Sequence, residues 1–323
     1  MKIAVLDDYQ DVVKTLKCFK ILNGHEVHVF NETWTDAEAL AQKLFDFEVL
    51  VLIRERTQIT EELLSKLPNL RLISQTGKVS NHLDPALCHQ YGVSVVEGIG
   101  SPVAPSELCW ALIMAASRNI PEYVENLSHS QWQDSGVLGL GRTLNGLTIG
   151  IWGYGKIGKR IAQYAKVFGM SVLVWGSEAS RKLAEEDGFA AASSKLDFFS
   201  RADIVSLHLR LNEATKHCVT KADLACMKSD SLFVNTSRAE LVEPGALYSE
   251  MKEKQTKRAA LDVFLVEPAN QNTEALLSLP NVLCSPHLGY VEKGSYELYF
   301  RAAFENVVAF SQENGTGLIT PGT

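Results

Sequence analysis

Apolar residues recur along this chain in two alternating patterns. Short aliphatic and β-branched runs at Lys2–Leu6, Glu26–Phe30, Val49–Ile53, Leu70–Ser74 and Val93–Val96 are separated by stretches whose apolar positions fall at helical spacing. Strands buried on both faces of a parallel sheet read as such runs, so the alternation predicts an α/β fold. Two helix starts are legible. Thr35 with Glu38 reads as a capping box, and Thr60 stands before Glu61 and Glu62, acids that suit the positive end of a helix.

Residues 97–103, which hold Gly98, Gly100 and Pro102, break the pattern and mark a domain boundary. Beyond them a helix runs from about Pro105 to Ser117. It is apolar nearly all round, which suits a buried helix or, in part, a contact with a second subunit. Strand patterns follow at Thr148–Trp152, Ser171–Trp175, Ile204–His208, Leu232–Asn235, Ala259–Val263 and Val282–Ser285. The last helix, Tyr296 to Phe310, places Phe300, Ala303, Phe304, Val307 and Val308 on one face, and packing back on the first domain is the simplest way to bury it.

Composition narrows the class. At 323 residues the chain exceeds what one hydrophobic core usually supports, so two domains are expected. Its 46% hydrophobic and 21% charged residues are those of a soluble globular protein. A net charge of −7 argues against a nucleic-acid or anionic-membrane partner, which would call for clustered Lys and Arg. No apolar run approaches the roughly 20 residues that span a bilayer. The N-terminus is a short strand pattern ending in Asp7 and Asp8, unlike a signal peptide, and a cytoplasmic protein is expected. Six cysteines are scattered without a Cys-x-x-Cys pair or a neighbouring His cluster. They read as small buried residues of a reducing compartment, neither a disulfide framework nor a metal site.

The most informative stretch is Thr148 to Gly158, where a strand runs into Gly153-Tyr154-Gly155-Lys156-Ile157-Gly158 and a helix pattern ending at Gly169 follows at once. Gly153 makes the tight turn, Gly155 lets backbone approach a pyrophosphate, and Gly158 lets the helix pack on the sheet. The helix N-terminus then offers unpaired N–H groups to the phosphates. Three glycines at that spacing also occur in ordinary turns. Here the next strand, Ser171–Trp175, completes the βαβ unit that a dinucleotide site requires.

Three residues stand at the ends of later strands, where open α/β sheets place their ligands: Arg238, Glu267 and His287, 29 and 20 residues apart. Taken singly they are a surface ion-pair residue, a solvated loop acid and a structural histidine. Together, after a dinucleotide fold, they supply what reduction of a keto acid needs. A cation holds the carboxylate and polarises the carbonyl. A histidine gives its proton to the alkoxide, and a carboxylate orients the imidazole and stabilises its protonated form.

With these motifs the chain resembles the D-isomer-specific 2-hydroxyacid dehydrogenase family over nearly its full length. The resemblance rests on the Gly153–Gly158 loop, Asn235-Thr236-Ser237-Arg238, Asp262-Val263-Phe264 through Glu267-Pro268, and Ser285-Pro286-His287. It implies two doubly wound parallel-sheet lobes: a flavodoxin-like substrate domain over residues 1–99 plus 292–323, and a Rossmann-type NAD(P)-binding domain over 100–291. It further implies an active site in the cleft between lobes and a homodimer paired through the cofactor lobes. The implied activity is hydride transfer between NAD(P)H and a 2-keto acid, of glyoxylate, hydroxypyruvate or phosphoglycerate type. A nucleotide-sensing, corepressor-like binding protein on the same scaffold is the alternative. By similarity Arg238, Glu267 and His287 are catalytic. Thr76, Gly77, Lys78 and Val79 match the loop whose N–H groups hold the substrate carboxylate, and Arg54, at a strand end, is placed with them. The Gly loop with Tyr154, Lys156 and Ile157 meets the pyrophosphate. Trp175, Gly176, Ser177, His208, Thr215, Thr236, Asp262 and Gly289 complete the cofactor set. The chain departs from the common pattern at Gly176, where NAD-preferring members carry an acid, at Arg210, where a Pro is usual, and at Lys78 and Val79, where small residues are frequent. Near Gly176, either Ser177, Ser180, Arg181 and Lys182 receive a 2′-phosphate or Glu178 serves as the ribose acceptor.

Overall fold

The computed structural model describes residues 1–312. The chain divides into two compact units, Met1–Ser101 with the chain from Glu292 onward, and Pro102–Val291. Residues 313–323, placed by expectation in the first of these, lie outside the described residues.

The first unit is built on five strands: β1 (Lys2–Val5), β2 (Glu26–Val29), β3 (Val49–Leu52), β4 (Leu72–Gln75) and β5 (Ser94–Glu97). All pair in parallel in the order β2-β1-β3-β4-β5, the flavodoxin-like winding. One face carries Leu40, Leu44, Leu63, Leu64, Ile73 and Val95 in a common core. On β4, Ser74 donates to the carbonyl of Ala303 at 2.8 Å, tying the sheet to the helix Lys293–Ser311. That helix buries Phe300, Ala303, Phe304 and Val307, while Val308 is only half-buried.

Several element ends differ from expectation, two of them for a visible reason. The helix Ala37–Leu44 is capped by Asp36, whose carboxylate accepts from Ala39 N–H, and not by Thr35. Both residues are good caps, and only the register of the first turn separates them. Leu70 N–H bonds the Leu67 carbonyl in a turn, so β4 starts two residues later than its apolar run. Thr60 does cap its helix, accepting from Leu63 N–H.

The second unit contains β6 (Thr148–Trp152), β7 (Ser171–Trp175), β8 (Ala190–Ala191), β9 (Ile204–Leu207), β10 (Leu232–Asn235), β11 (Arg258–Leu261) and β12 (Val282–Cys284). They form one parallel sheet in the order β12-β11-β10-β9-β6-β7-β8. Its switch point lies at β6, where a doubly wound sheet holds its ligand. The helix Val103–Ser117 starts before Pro105 and packs through Cys109, Leu112, Ile113 and Ala116 on one face of the sheet. Phe198, Phe199, Phe233 and Met251 cover the other face. No helix among the described residues is long and apolar enough to cross a membrane. Of the cysteines, Cys18, Cys88 and Cys109 are buried as expected. Cys218 and Cys284 are only half-buried, and Cys226 is exposed near the end of its short helix.

Candidate active site

The dinucleotide loop has the shape its glycines dictate. Gly153 sits at φ 101°, and a Cβ on Gly158 would stand 2.1 Å from the Gly153 carbonyl oxygen, so only glycine lets the helix Lys156–Val167 approach this closely. A Cβ on Gly155 would meet nothing within 4 Å. That open space, facing a helix N-terminus with no side-chain cap, has the form a diphosphate would fill. Lys156 is exposed and Ile157 half-buried beside it. Tyr154 does otherwise. Its side chain turns into the core, where its hydroxyl donates to Asp187 at 3.0 Å, leaving only its backbone to the loop. Burial and that carboxylate push its phenol well above the usual range.

Next to the loop, at the end of β7, Gly176 lies at φ 150° and Ser177 caps the helix Glu178–Glu186. On that helix the Arg181 guanidinium lies 5.0 Å from the Trp175 ring centroid, and its buried Nε has no hydrogen-bond partner among the described residues. On the other side of β6, His208 follows β9 and is 3.0 Å from Ser206 Oγ through Nε2. Burial lowers its pKa to about 4, so the imidazole is neutral at physiological pH. The buried Cys109 thiol meets Ser206 at 3.5 Å, and burial pushes it up to about 11. Thr215 donates to the Arg210 carbonyl at 2.6 Å and closes the turn after β9.

Three adjacent strands then deliver the trio. Arg238 follows β10 in a turn clamped by the Asn235 side chain, whose Oδ1 accepts from Ser237 N–H and whose Nδ2 donates to the Arg238 carbonyl at 2.8 Å. Thr236 lies half-buried in that turn. Glu267 follows β11; its Oε1 accepts from Phe264 N–H at 2.9 Å and its Oε2 stands 2.6 Å from His287 Nδ1. Because a carboxylate can only accept, Nδ1 carries the hydrogen and Nε2 is the atom left for proton transfer. His287 follows β12 at φ 52°, a left-handed conformation that a non-glycine residue holds only when its surroundings enforce it.

Asp262 is what enforces it. Only 1% exposed, it accepts from Ser285 Oγ at 2.6 Å, Leu288 N–H at 2.7 Å and Gly289 N–H at 2.9 Å. Expected among the cofactor contacts, Asp262 thus spends its oxygens on the turn that carries His287. Gly289 is part of that same turn. Burial raises the Asp262 carboxyl, and these three donors oppose the rise. Sequence reasoning found the residue but not this role, since the signal is a contact across 23 to 27 positions.

The proposed substrate residues belong to the first unit. Thr76 N–H donates to the Leu52 carbonyl at 3.0 Å and Val79 N–H to Glu97 at 3.2 Å, so both of these N–H groups are bonded within the unit. Gly77 and Lys78 lie between them. The Lys78 ammonium pairs with Glu97. Arg54 follows β3 at φ 53°, and its guanidinium lies against Gly77. Arg56 donates to the Asp7 carbonyl at 2.6 Å and stacks on Tyr9, a tie within the first unit.

Residues 110–289 match the family model described as D-isomer specific 2-hydroxyacid dehydrogenase, NAD binding domain. The D-3-phosphoglycerate dehydrogenase of Methanocaldococcus jannaschii is 33% identical over 90% of this chain and 53% of its own length, so the chain spans about half of that relative. The glyoxylate reductase of Aeropyrum pernix is 32% identical over 88% of this chain and 92% of its own. A crystal structure of a phosphoglycerate oxidoreductase from Vibrio cholerae is 65% identical, with a TM-score of 0.96 over 97% of this chain and 99% of that one. These likenesses define a nicotinamide-dependent oxidoreductase. The chain belongs to the D-isomer-specific 2-hydroxyacid dehydrogenase family, and residues 110–289 are its NAD-binding domain.

Proposed function

We propose that this protein interconverts a 2-keto acid and its D-2-hydroxy acid with NAD(H) or NADP(H), on a substrate of the glyoxylate, hydroxypyruvate or phosphoglycerate type. The observation that carries the reading is the 2.6 Å contact of His287 Nδ1 with Glu267, held on strand ends of the sheet that bears the dinucleotide loop. A nicotinamide bound there supplies or takes the hydride. His287 Nε2 gives its proton to the carbonyl oxygen in reduction and takes the hydroxyl proton in oxidation. Glu267 keeps the imidazole in the tautomer and orientation that this requires. Arg238 meets the substrate carboxylate and polarises the carbonyl. The N–H groups of Gly77 and Lys78, between two N–H groups already bonded, hold the carboxylate from the first unit's loop, with Arg54 and Lys78 as cations for a second anionic or strongly polar group.

Steady-state rates with NADH and NADPH against glyoxylate, hydroxypyruvate and 3-phosphohydroxypyruvate test this directly. Turnover of at least one keto acid is expected, and turnover of none would sink the reading. The relatives described above are dehydrogenases, reductases and oxidoreductases, and no observation favours the nucleotide-sensing alternative.

The same reading makes the protein a homodimer. The helix Ile120–Ser128 buries none of its residues and exposes Ile120, Val124 and Leu127. The segment after it exposes Trp132, Val137 and Leu140, at 77% to 89% of their surface. So much apolar surface on one element and its continuation suits a self-complementary subunit contact. Light scattering is expected to give twice the 35.6 kDa chain mass, and Trp132→Glu with Leu140→Asp to give monomers at micromolar concentration. A wild-type protein running at monomer mass would refute this.

A further inference from the structure

Arg54 is held far more elaborately than a loop arginine needs. Its backbone is left-handed at φ 53°, a state that an L residue keeps only under constraint. Both of its backbone groups are tied by side chains. Its N–H donates to Thr76 Oγ1 at 3.1 Å, and its carbonyl accepts from Gln75 Nε2 at 2.8 Å. Gln75 is in turn 3.2 Å from His82 Nε2 through its Oε1. An amide that donates through nitrogen must accept through oxygen, so His82 Nε2 carries the hydrogen and the chain of donors runs from His82 through Gln75 to Arg54. Gln75 is 0% exposed and His82 3%, so the sequence keeps two buried polar side chains in line behind one backbone carbonyl.

The conformation has a consequence in space. A Cβ built on Gly77 would stand 1.9 Å from Arg54 Nη1, so the guanidinium occupies the room a side chain at 77 would take. It lies against the loop backbone there, with Glu55 Oε1 3.6 Å from Nη2. Lys78, by contrast, is 66% exposed and paired to Glu97 on a flexible stem. Of the two cations beside the loop, Arg54 is the one whose position is built in.

We propose that Gln75 and His82 are positioning residues that fix the Arg54 guanidinium against Gly77 as the loop's anion-binding cation. The proposal rests on the substrate loop assigned above, and concerns which residues hold its cation in place. A strand that ended in an unconstrained residue would let the guanidinium sample solvent, and binding would then carry the cost of ordering it. The role is one of substrate affinity, so it separates from the chemistry of His287.

The test uses the full chain with saturating NADH and, as probes, hydroxypyruvate and its 3-phosphate. Gln75→Met, which keeps the shape and removes both polar ends, and His82→Leu should each raise KM for the probe about tenfold with kcat within about twofold. His82→Gln, which keeps a donor at similar reach, should restore KM to within about threefold of wild type. In an Arg54→Ala background, Gln75→Met should add less than about twofold, because residues acting through one group are non-additive. An equal rise with and without Arg54, or no change of KM in Arg54→Ala itself, overturns the proposal while leaving the activity standing. Turnover of neither probe nor of glyoxylate would instead overturn the functional reading beneath it. If Gln75→Met fails to fold by circular dichroism, the contrast of His82→Leu with His82→Gln decides.

Discussion

His287→Gln is expected to lower kcat by about 10²–10⁴, the range over which a positioned general acid contributes, while the NADH KM stays within about twofold. The size follows from geometry. Glu267 holds Nδ1 at 2.6 Å and Asp262 fixes the backbone turn through three donors, so Nε2 is aimed before any substrate arrives. Glutamine fills much of the same volume and can still bond Glu267, but it cannot carry a transferable proton near neutral pH. The loss is therefore one of chemistry, about 3–6 kcal/mol at ~1.4 kcal/mol per factor of ten. Glu267→Gln should fall between the wild type and this variant, since the histidine keeps its proton but loses its charged orienter. Single-turnover reduction followed by NADH absorbance separates this from slow product release. Near wild-type turnover in His287→Gln would remove His287 from the mechanism.

Much of where these candidate residues stand in the fold is legible in the sequence, and the reasons are local. The strands announce themselves as apolar runs. The Gly153–Gly158 spacing is forced by a carbonyl that a Cβ on Gly158 would strike. Arg238, Glu267 and His287 each follow a strand, and a parallel sheet brings successive carboxyl ends to one edge. What escaped reading depends on partners far along the chain. Tyr154 points away from the loop because Asp187 receives its hydroxyl, and nothing near Tyr154 says so. Asp262 serves the His287 turn across 23 to 27 positions. The His82–Gln75–Arg54 chain runs through two buried side chains to a backbone carbonyl 21 positions before Gln75. Thr35 against Asp36 is a subtler miss, a choice between two adjacent caps that composition does not make.

The cofactor preference should turn on the end of β7, and structure changes how it is best tested. An acid at position 176 is the obvious probe, but Gly176 at φ 150° would be strained by any side chain. Ser177 is the better site. It already caps the helix Glu178–Glu186 by accepting from Ser180 N–H, and Asp caps as well as Ser does. Ser177→Asp therefore keeps the fold and adds a carboxylate at the strand end where ribose-binding acids stand. Arg181 supplies the opposing force. Stacked on Trp175 with its buried Nε unpartnered, it is a pre-placed cation that a 2′-phosphate would pair with. The wild type is expected to use both NADH and NADPH. Ser177→Asp should cut kcat/KM for NADPH at least about tenfold, since ~1.4 kcal/mol of repulsion suffices, and spare or improve that for NADH. Arg181→Gln should lower the NADPH value and leave NADH nearly unchanged. If both variants keep the wild-type ratio of NADPH to NADH, selectivity lies outside this strand end, and the Arg181 stack on Trp175 is a packing contact alone.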